Sequence, residues 1–375
     1  MLTLTAGEAF RRYVQTGMML HVALPFLMLV AGKYRPRLPS TGSATLSSFP
    51  VEIGSKPIPT HPGDGPNRSP GTQLSHDKAM KAAIYDRPGP PDVLRYADVP
   101  DPVCPEDGVL IRVEAAAIEG GDLINRASMP PPHPAFVIGY AAAGEIIAVG
   151  KNVKDRRLGE RVTSFDLAGS HAELRAVAAS RTWPVPEGLD MSAAAALPIS
   201  FGTAHHCLFA RGGLTRGETV LIQAGAGGVG LAAIQLAHQA GARVLATVSG
   251  VARAERLIGL GLDHAIDHRA ADVVETVMHL TGGRGVDLVV DPVGSTLQIS
   301  LAALRPEGRL VFVGNAGGSR LDLDLWPALQ ANQSLFGVFM GTQLDKPDVH
   351  RTVSRMLKLA ATGDLEVVVD RTFPL

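Results

Sequence analysis

From Met80 the chain is written in short runs that alternate apolar and polar residues: KAAIYD, VLRYADV and GVLIRVEAAAI, separated by the Gly/Pro turns RPGPPD and DPVCPEDG. A period of two places neighbouring side chains on opposite faces of a pleated strand, so this stretch predicts a β-rich domain. The texture continues through FVIGYAAAGEIIAVG and GERVTSF. Around Leu197 the pattern changes. From Thr219 the apolar runs VLIQA (220–224), RVLATV (243–248), HAID (264–267), VDLVVD (286–291), RLVFVG (309–314) and SLFGVFM (334–340) alternate with helical patterns long enough to be crossovers. Strands that are apolar on both faces must be covered on both faces, which predicts a doubly wound α/β domain built on a parallel sheet.

Composition changes the picture mainly at the N-terminus. Residues 33–79 are dominated by Pro, Ser, Thr and Gly. Too few large apolar residues are present to offset the entropy of ordering, so 1–79 is expected to be a disordered extension, with Met80 a candidate start. The apolar run 17–32 contains His21 and Pro25 and is short of the roughly 20 residues a membrane span requires. Basic residues flank it on both sides and no clean small-residue cleavage site follows, so it reads as part of an extension unrelated to the fold, with no stable membrane association. A formal net charge of −1 gives no basic field for nucleic acid. Two cysteines, Cys104 and Cys207, make neither a disulfide framework nor a multi-cysteine zinc lobe, and point to a reducing, cytoplasmic location.

The stretch QAGAGGVGLAA (223–233) carries the chemistry. Gly225, Gly227 and Gly230 satisfy G-x-G-x-x-G between a strand expected to end at Ala224 and a helix in which Val229, Ala233, Leu236 and Ala240 recur at helical spacing. Glycines let the turn tighten and the backbone approach a pyrophosphate, while the helix aims free N–H groups and its positive end at the anion. The bland alternative is a strand–helix turn that binds nothing. An NAD enzyme usually places a carboxylate at the end of the second strand. Here ATVSG supplies none at Thr247, Val248 or Ser249, and Arg253 and Arg256 follow, a set suited to a 2′-phosphate. The reading is NADPH; both arginines are otherwise ordinary solvated helix residues.

With those residues in hand, MKAAIYDRPGPPDVLRYADVPDP, GSHAELRAV, AAALPISFGTAHHCL, AGAGGVGLAAIQLA, TGGRGVDLVVDPVG and RLVFVGNAGG, in this order, resemble the zinc-independent branch of the medium-chain dehydrogenase/reductase superfamily, the quinone oxidoreductases or zeta-crystallin-like enzymes. The resemblance covers nearly all of 80–375. It implies a GroES-like β-rich catalytic domain (80–200), a Rossmann domain (201–340), a return to the catalytic domain (341–375), and NADPH in the cleft between the two. Gly227, Gly228 and Val229 correspond to the pyrophosphate loop, and Ser249 and Arg253 to the 2′-phosphate contacts. His268 stands where relatives often have a tyrosine near the adenosine end. Thr203 and Asn315 match positions lining the nicotinamide. Relatives are typically homodimers that pair through the last strand of the parallel sheet, and usually continue beyond the point matching Leu375 by another helix and strand. A shortened end is expected to leave a sheet edge and apolar surface uncovered.

The zinc-dependent branch fits poorly, because its first cysteine ligand is Glu119 here and its Gly-His-Glu is Gly139, Tyr140, Ala141. His205, His206 and Cys207 are consecutive on an expected helix, diverge, and read as ordinary helix residues. An alkoxide product needs a Lewis acid or a placed proton donor, and neither is apparent in the sequence. A quinone or an α,β-unsaturated carbonyl delocalises the incoming electron pair instead, so a small electrophilic acceptor held flat against the nicotinamide is the expected substrate. Glu119 and Ile124 replace the Asn and the aromatic residue that many relatives carry at the substrate cleft. Glu119 reads either as a carboxylate that accepts a proton or disfavours anionic substrates, or as a solvated loop residue. Asp122 reads as a helix N-cap and Asp291 as a strand-end cap. A binding protein with little turnover is the rival function.

Overall fold

The computed structural model describes residues 79–375 apart from 319, 320, 322 and the side chains of 251–253. The expected disordered extension, except Ala79, thus lies outside the described residues, as do the apolar run 17–32 and the Arg253 side chain. Among the described residues no helix is long and apolar enough to cross a membrane.

Strands β1 (Ala79–Tyr85), β2 (Arg95–Pro100) and β4 (Phe136–Val137) form an antiparallel sheet in the order β2-β1-β4. A second antiparallel sheet contains β3 (Gly108–Ala117), β5 (Ala141–Val149), β6 (Arg161–Phe165), β7 (Leu174–Ala178) and β8 (Thr182–Pro184), ordered β7-β3-β5-β6-β8. Val109, Ile111, Ile146, Val162 and Val177 bury one face of it, as the alternation requires. The β3–β5 register slips between Val113 and Ala115. Such a bulge bends a strand, here close to where helix α1 (Gly120–Ser128) leaves β3.

Helix α2 (Met191–His205) starts at Asp190, whose carboxylate accepts from the Ser192 and Ala193 N–H groups, and is buried along most of its length. It runs into a wider turn, His206–Arg211, in which the His205 ring lies 4.9 Å from that of Phe209 and burial pushes the Cys207 thiol up to about 12.

The parallel sheet follows. Its elements are β9 (Thr219–Ile222), α3 (Gly228–Gln239), β10 (Arg243–Val248), α4 (Val251–Gly259), β11 (His264–Asp267), α5 (Val273–Leu280), β12 (Val286–Asp291), α6 (Leu297–Ala303), β13 (Leu304–Phe312), α7 (Trp326–Gln330) and β14 (Ser334–Gly337). The order is β11-β10-β9-β12-β13-β14 and every pair is parallel. Successive residues feed opposite layers. Leu221, Leu245, Val289 and Leu310 pack with Val277, Leu297 and Leu301, whereas Val220, Ile222, Val244 and Val290 pack with Ala233 and Leu236 of α3. This division is why both strand faces are apolar. Chain direction across the sheet reverses between β9 and β12, which opens a crevice at their carboxyl ends.

The limits of three strands differ from expectation. β13 begins at Leu304 because Leu304 pairs with Val286 before the register slips, and β14 ends at Gly337 because Val338 makes its bond to Phe312 and the chain then turns at Met340–Thr342. β9 also stops short of Ala224, whose φ is +53°.

Helix α8 (Pro347–Ala361) closes on the second antiparallel sheet: the Trp183 indole N–H donates to the His350 carbonyl at 3.1 Å and the two rings stack 5.1 Å apart. Farther on, Gln235 of α3 exchanges two hydrogen bonds with the backbone of Glu366, at 3.0 and 2.8 Å. Residues 347–366 therefore touch both halves. Trp183 is fully buried. Trp183→Ala is expected to lower unfolding free energy by about 3–5 kcal/mol in urea titration, and Trp183→Phe by less; a loss below about 1 kcal/mol for the alanine variant would contradict this packing.

Candidate functional site

The turn from β9 to α3 has the shape its glycines predict. A β-carbon on Gly230 would overlap the Ala224 carbonyl oxygen and lie 2.7 Å from Gly225 Cα, so strand end and helix start meet backbone to backbone. On Gly228 it would come 2.8 Å from Ser200 Oγ, because α2 crosses directly over the helix start. Gly227 caps α3 in an extended conformation, and Gly227 and Gly228 are exposed whereas Gly225 and Gly230 are buried. Val229 lies between the two and packs partly on the core. The first N–H groups of α3 have no carbonyl one turn earlier within the helix, and the exposed glycines present them without side-chain cover. This backbone fits a pyrophosphate.

The remaining expected cofactor residues sit at the carboxyl ends of neighbouring strands. Ser249 follows β10 and His268 follows β11, and Ser249 Oγ is 2.9 Å from His268 Nε2. Adjacent parallel strands in the register Val248 to Asp267 bring them together. The Arg253 side chain is outside the described residues. Arg256 is exposed and lies 3.6 Å from Glu366, as an ordinary surface pair. Asn315 follows β13 beside the loop after β12: a β-carbon on Gly294 would be 3.2 Å from Asn315 Cα. Asp291 ends β12 and its carboxylate accepts from the Val293 and Gly294 N–H groups, the strand-end cap expected of it. Thr203 is buried on α2, three residues after Ser200 and so on the same side of the helix.

The antiparallel half gathers a polar cluster around α1. Glu119, not Asp122, is the N-cap, a correction to the expected capping. Asp122 stands at the third helical position and its Oδ2 accepts from the Glu119 N–H at 2.9 Å, the reach-back half of a capping box. Asp122 is 1 % exposed, with His171 Nε2 3.6 Å away, and burial raises its pKa. Glu119 is not a solvated loop residue. It keeps some exposed surface but is packed on most sides, and burial, then the neighbouring Asp122, pushes its carboxyl up to about 8. Its charged form is therefore disfavoured near neutral pH, which weakens the expected repulsion of anionic substrates. Ile124 is half-buried one turn farther along α1.

Several residues here carried no assignment from the sequence. Asn125 donates to the Tyr140 hydroxyl at 2.6 Å, and the Tyr140 ring stacks on Phe165. Arg175, 1 % exposed, donates to the Tyr140 and Ala168 carbonyls and to Ser164, and burial lowers its pKa to about 10. His171 Nε2 is 3.1 Å from the Ala117 carbonyl. The GSHAELRAV stretch holds both His171 and Arg175, but only the pairing of β7 with β3 and the fold around it reveal what they face. Among the described residues no three His, Cys, Asp or Glu side chains converge as metal ligands.

Comparison with known proteins agrees with this architecture. Residues 105–187 match the model of the alcohol dehydrogenase GroES-like domain and 228–361 that of the zinc-binding dehydrogenases. The chain is 32% identical over 307 residues to a 2-haloacrylate reductase of Burkholderia sp, covering 79% of this chain and 92% of that protein. It is 31% identical over 311 residues to a phenolphthiocerol/phthiocerol polyketide synthase protein of Mycobacterium tuberculosis, covering 80% of this chain but only 14% of that much longer one. The structure of Escherichia coli quinone oxidoreductase complexed with NADPH superposes with a TM-score of 0.69 at 26% identity, over 78% of this chain and 90% of that one. The chain belongs to the medium-chain dehydrogenase/reductase family, in its quinone-oxidoreductase-like branch.

Proposed function

We propose that the chain is an NADPH-dependent oxidoreductase that reduces a small electrophilic acceptor, a quinone or an α,β-unsaturated carbonyl, without a metal. The NADPH complex of the Escherichia coli relative, the glycine cradle and the carboxylate-free end of β10 support the cofactor. Gly225, Gly227, Gly228 and Val229 would hold the pyrophosphate, Ser249, Arg253 and His268 the adenosine end, and Thr203 and Asn315 the nicotinamide end. When bound, the reduced nicotinamide supplies a hydride to the acceptor.

The observation that carries the reading is the position of Glu119 at the cap of α1, where metal-dependent relatives have a ligand and where burial pushes its carboxyl up to about 8. A neutral carboxylic acid donates a hydrogen bond to the acceptor carbonyl oxygen and gives up its proton as the electron pair arrives there. The proton is regained from solvent. Ile124 on the same helix forms apolar wall for a flat substrate. The name of the Burkholderia relative, a reductase of a haloacrylate, supports a conjugated acceptor and is compatible with an uncharged Glu119. We further propose a homodimer joined at the β14 edge, where Leu335, Phe339 and, on α7, Trp326 and Leu329 expose apolar surface.

The following outcomes are expected. Wild-type turnover with a quinone or enone panel, followed at the reduced nicotinamide absorbance, falls as pH rises through about 8, the value to which burial brings Glu119. Glu119→Gln lowers kcat/KM about 100-fold and flattens that profile. The same residue reverses sign in stability. Its pKa is higher folded than unfolded, so wild type loses stability from about 4.5 upward through about 8, and Glu119→Gln melts progressively higher than wild type across that window. Unchanged turnover in the variant would overturn the acid assignment. For the cofactor, Arg253→Ala raises the NADPH Kd about tenfold and leaves NADH within about twofold; equal losses would refute the phosphate contact. For assembly, light scattering gives twice the chain mass for wild type and a monomer for Leu335→Lys, and a wild-type monomer would refute the dimer.

A further inference from the structure

Beneath the crevice, between β9, β10 and β12, lies a polar thread in a region that is otherwise apolar. The Ala224 N–H donates to Thr247 Oγ1 at 2.9 Å, and the Thr247 hydroxyl donates to Gln223 Oε1 at 2.9 Å. The Gln223 amide then donates to Ser300 Oγ at 3.0 Å, and the Ser300 hydroxyl to Asp291 Oδ2 at 2.7 Å. Gln223, Thr247, Ser300 and Asp291 are each at most 3 % exposed. Every hydroxyl accepts once and donates once, so all the protons point the same way, toward the buried carboxylate. Such a chain polarises its own links, and it tolerates no missing member without leaving a buried group unpaired.

Its two ends are the two loops that bound the crevice. At one end Ala224, a non-glycine residue at φ +53°, opens the phosphate turn, and the Gly225 N–H is fixed to the Thr247 carbonyl at 2.8 Å. A left-handed alanine is unfavourable and persists where its surroundings hold it. At the other end Asp291 gathers the Val293 and Gly294 N–H groups and the Thr296 hydroxyl, which sets the loop after β12 against Asn315. We propose that Gln223 and Ser300, both buried away from the cleft, are positioning residues that set dinucleotide affinity by clamping the loop after β9 to the loop after β12. The inference rests on the dinucleotide reading of the crevice and adds to it residues that touch no ligand.

The test measures NADPH Kd by fluorescence together with kcat at saturating cofactor. Ser300→Ala removes both the acceptor for Gln223 and the donor to Asp291. It is expected to raise Kd about tenfold with kcat within about twofold, and Ser300→Thr, which keeps the hydroxyl, to restore most of the affinity. Gln223→Leu, of similar size, raises Kd by a comparable factor, and the double variant is no worse than either single one because both break the same thread. Val286→Ala, at the opposite end of β12, lowers stability without changing Kd and so separates positioning from general weakening. A Kd for Ser300→Ala within about twofold of wild type, or strictly multiplicative effects in the double variant, would overturn the clamp while leaving the cofactor assignment intact. Wild-type protein that binds no NADPH would sink both.

Discussion

The site depends on one steric fact: no β-carbon fits at Gly230. The helix start lies so close to the turn from β9 that the Ala224 carbonyl and Gly225 backbone occupy the space a side chain would need. That contact fixes the distance between the central strand and its helix, and with it the direction in which the exposed N–H groups of Gly228 and Val229 face. The left-handed Ala224 on one side and Ser200 of α2 packed over Gly228 on the other are both consequences of the same closeness. Elsewhere in the parallel sheet most of the packing is side chain on side chain, although Gly285 also closely approaches the Leu304–Arg305 backbone. Here it is backbone on backbone.

In the antiparallel half the governing quantity is burial rather than shape. Glu119, Asp122 and Arg175 are titratable groups in one compact region, and desolvation is the largest influence on each. The outcomes differ because their partners differ. Arg175 has carbonyl and hydroxyl acceptors for its guanidinium, so it stays charged even at about 10, and it ties together the start of β5, β6 and the loop before β7. Asp122 has backbone N–H groups and His171 as partial compensation. Glu119 has a like charge beside it instead, and its neutral form wins. The cost of ionising Glu119 is registered as stability lost as pH rises toward about 8.

How much of this was legible depends on whether the information is periodic or tertiary. β10, β11 and β12 were delimited correctly because their apolar runs have abrupt ends. The glycine turn was legible because its motif sits between a strand and a helix. Ser249 and His268 were each placed at a strand end, but that they touch follows from β10 and β11 being neighbours. The role of Asp122 was misplaced by one turn. Asp is the better N-cap by preference, yet here the helix begins after Glu119, and Asp122 reaches back to it. The burial of Glu119 and the Gln223–Ser300 contact were invisible, since each depends on residues far away in the chain, Ser300 being 77 positions from Gln223.

The two sheets also do not behave as separate bodies joined by a linker. A single apolar cluster includes Ala143, Phe165 and Trp183 from the antiparallel sheet, Ala194, Leu197 and Phe201 from α2, and Val220, Ile222 and Val244 from the parallel sheet, with Val353 and Leu357 of α8 closing it. Domain pairs with small, polar contacts move freely; a continuous buried core resists such motion because hinge opening would expose it. Access to the cleft is therefore expected to come from its rim. The rim is made of the segments with least side-chain anchoring, the exposed Gly227–Gly228 pair and the turn after β13 at Asn315, whereas Ser200, Thr203 and Glu119 belong to elements fixed by the core. A cofactor entering there would meet the core-fixed Ser200, Thr203 and Glu119 through more loosely anchored edges, an arrangement that favours a preset orientation.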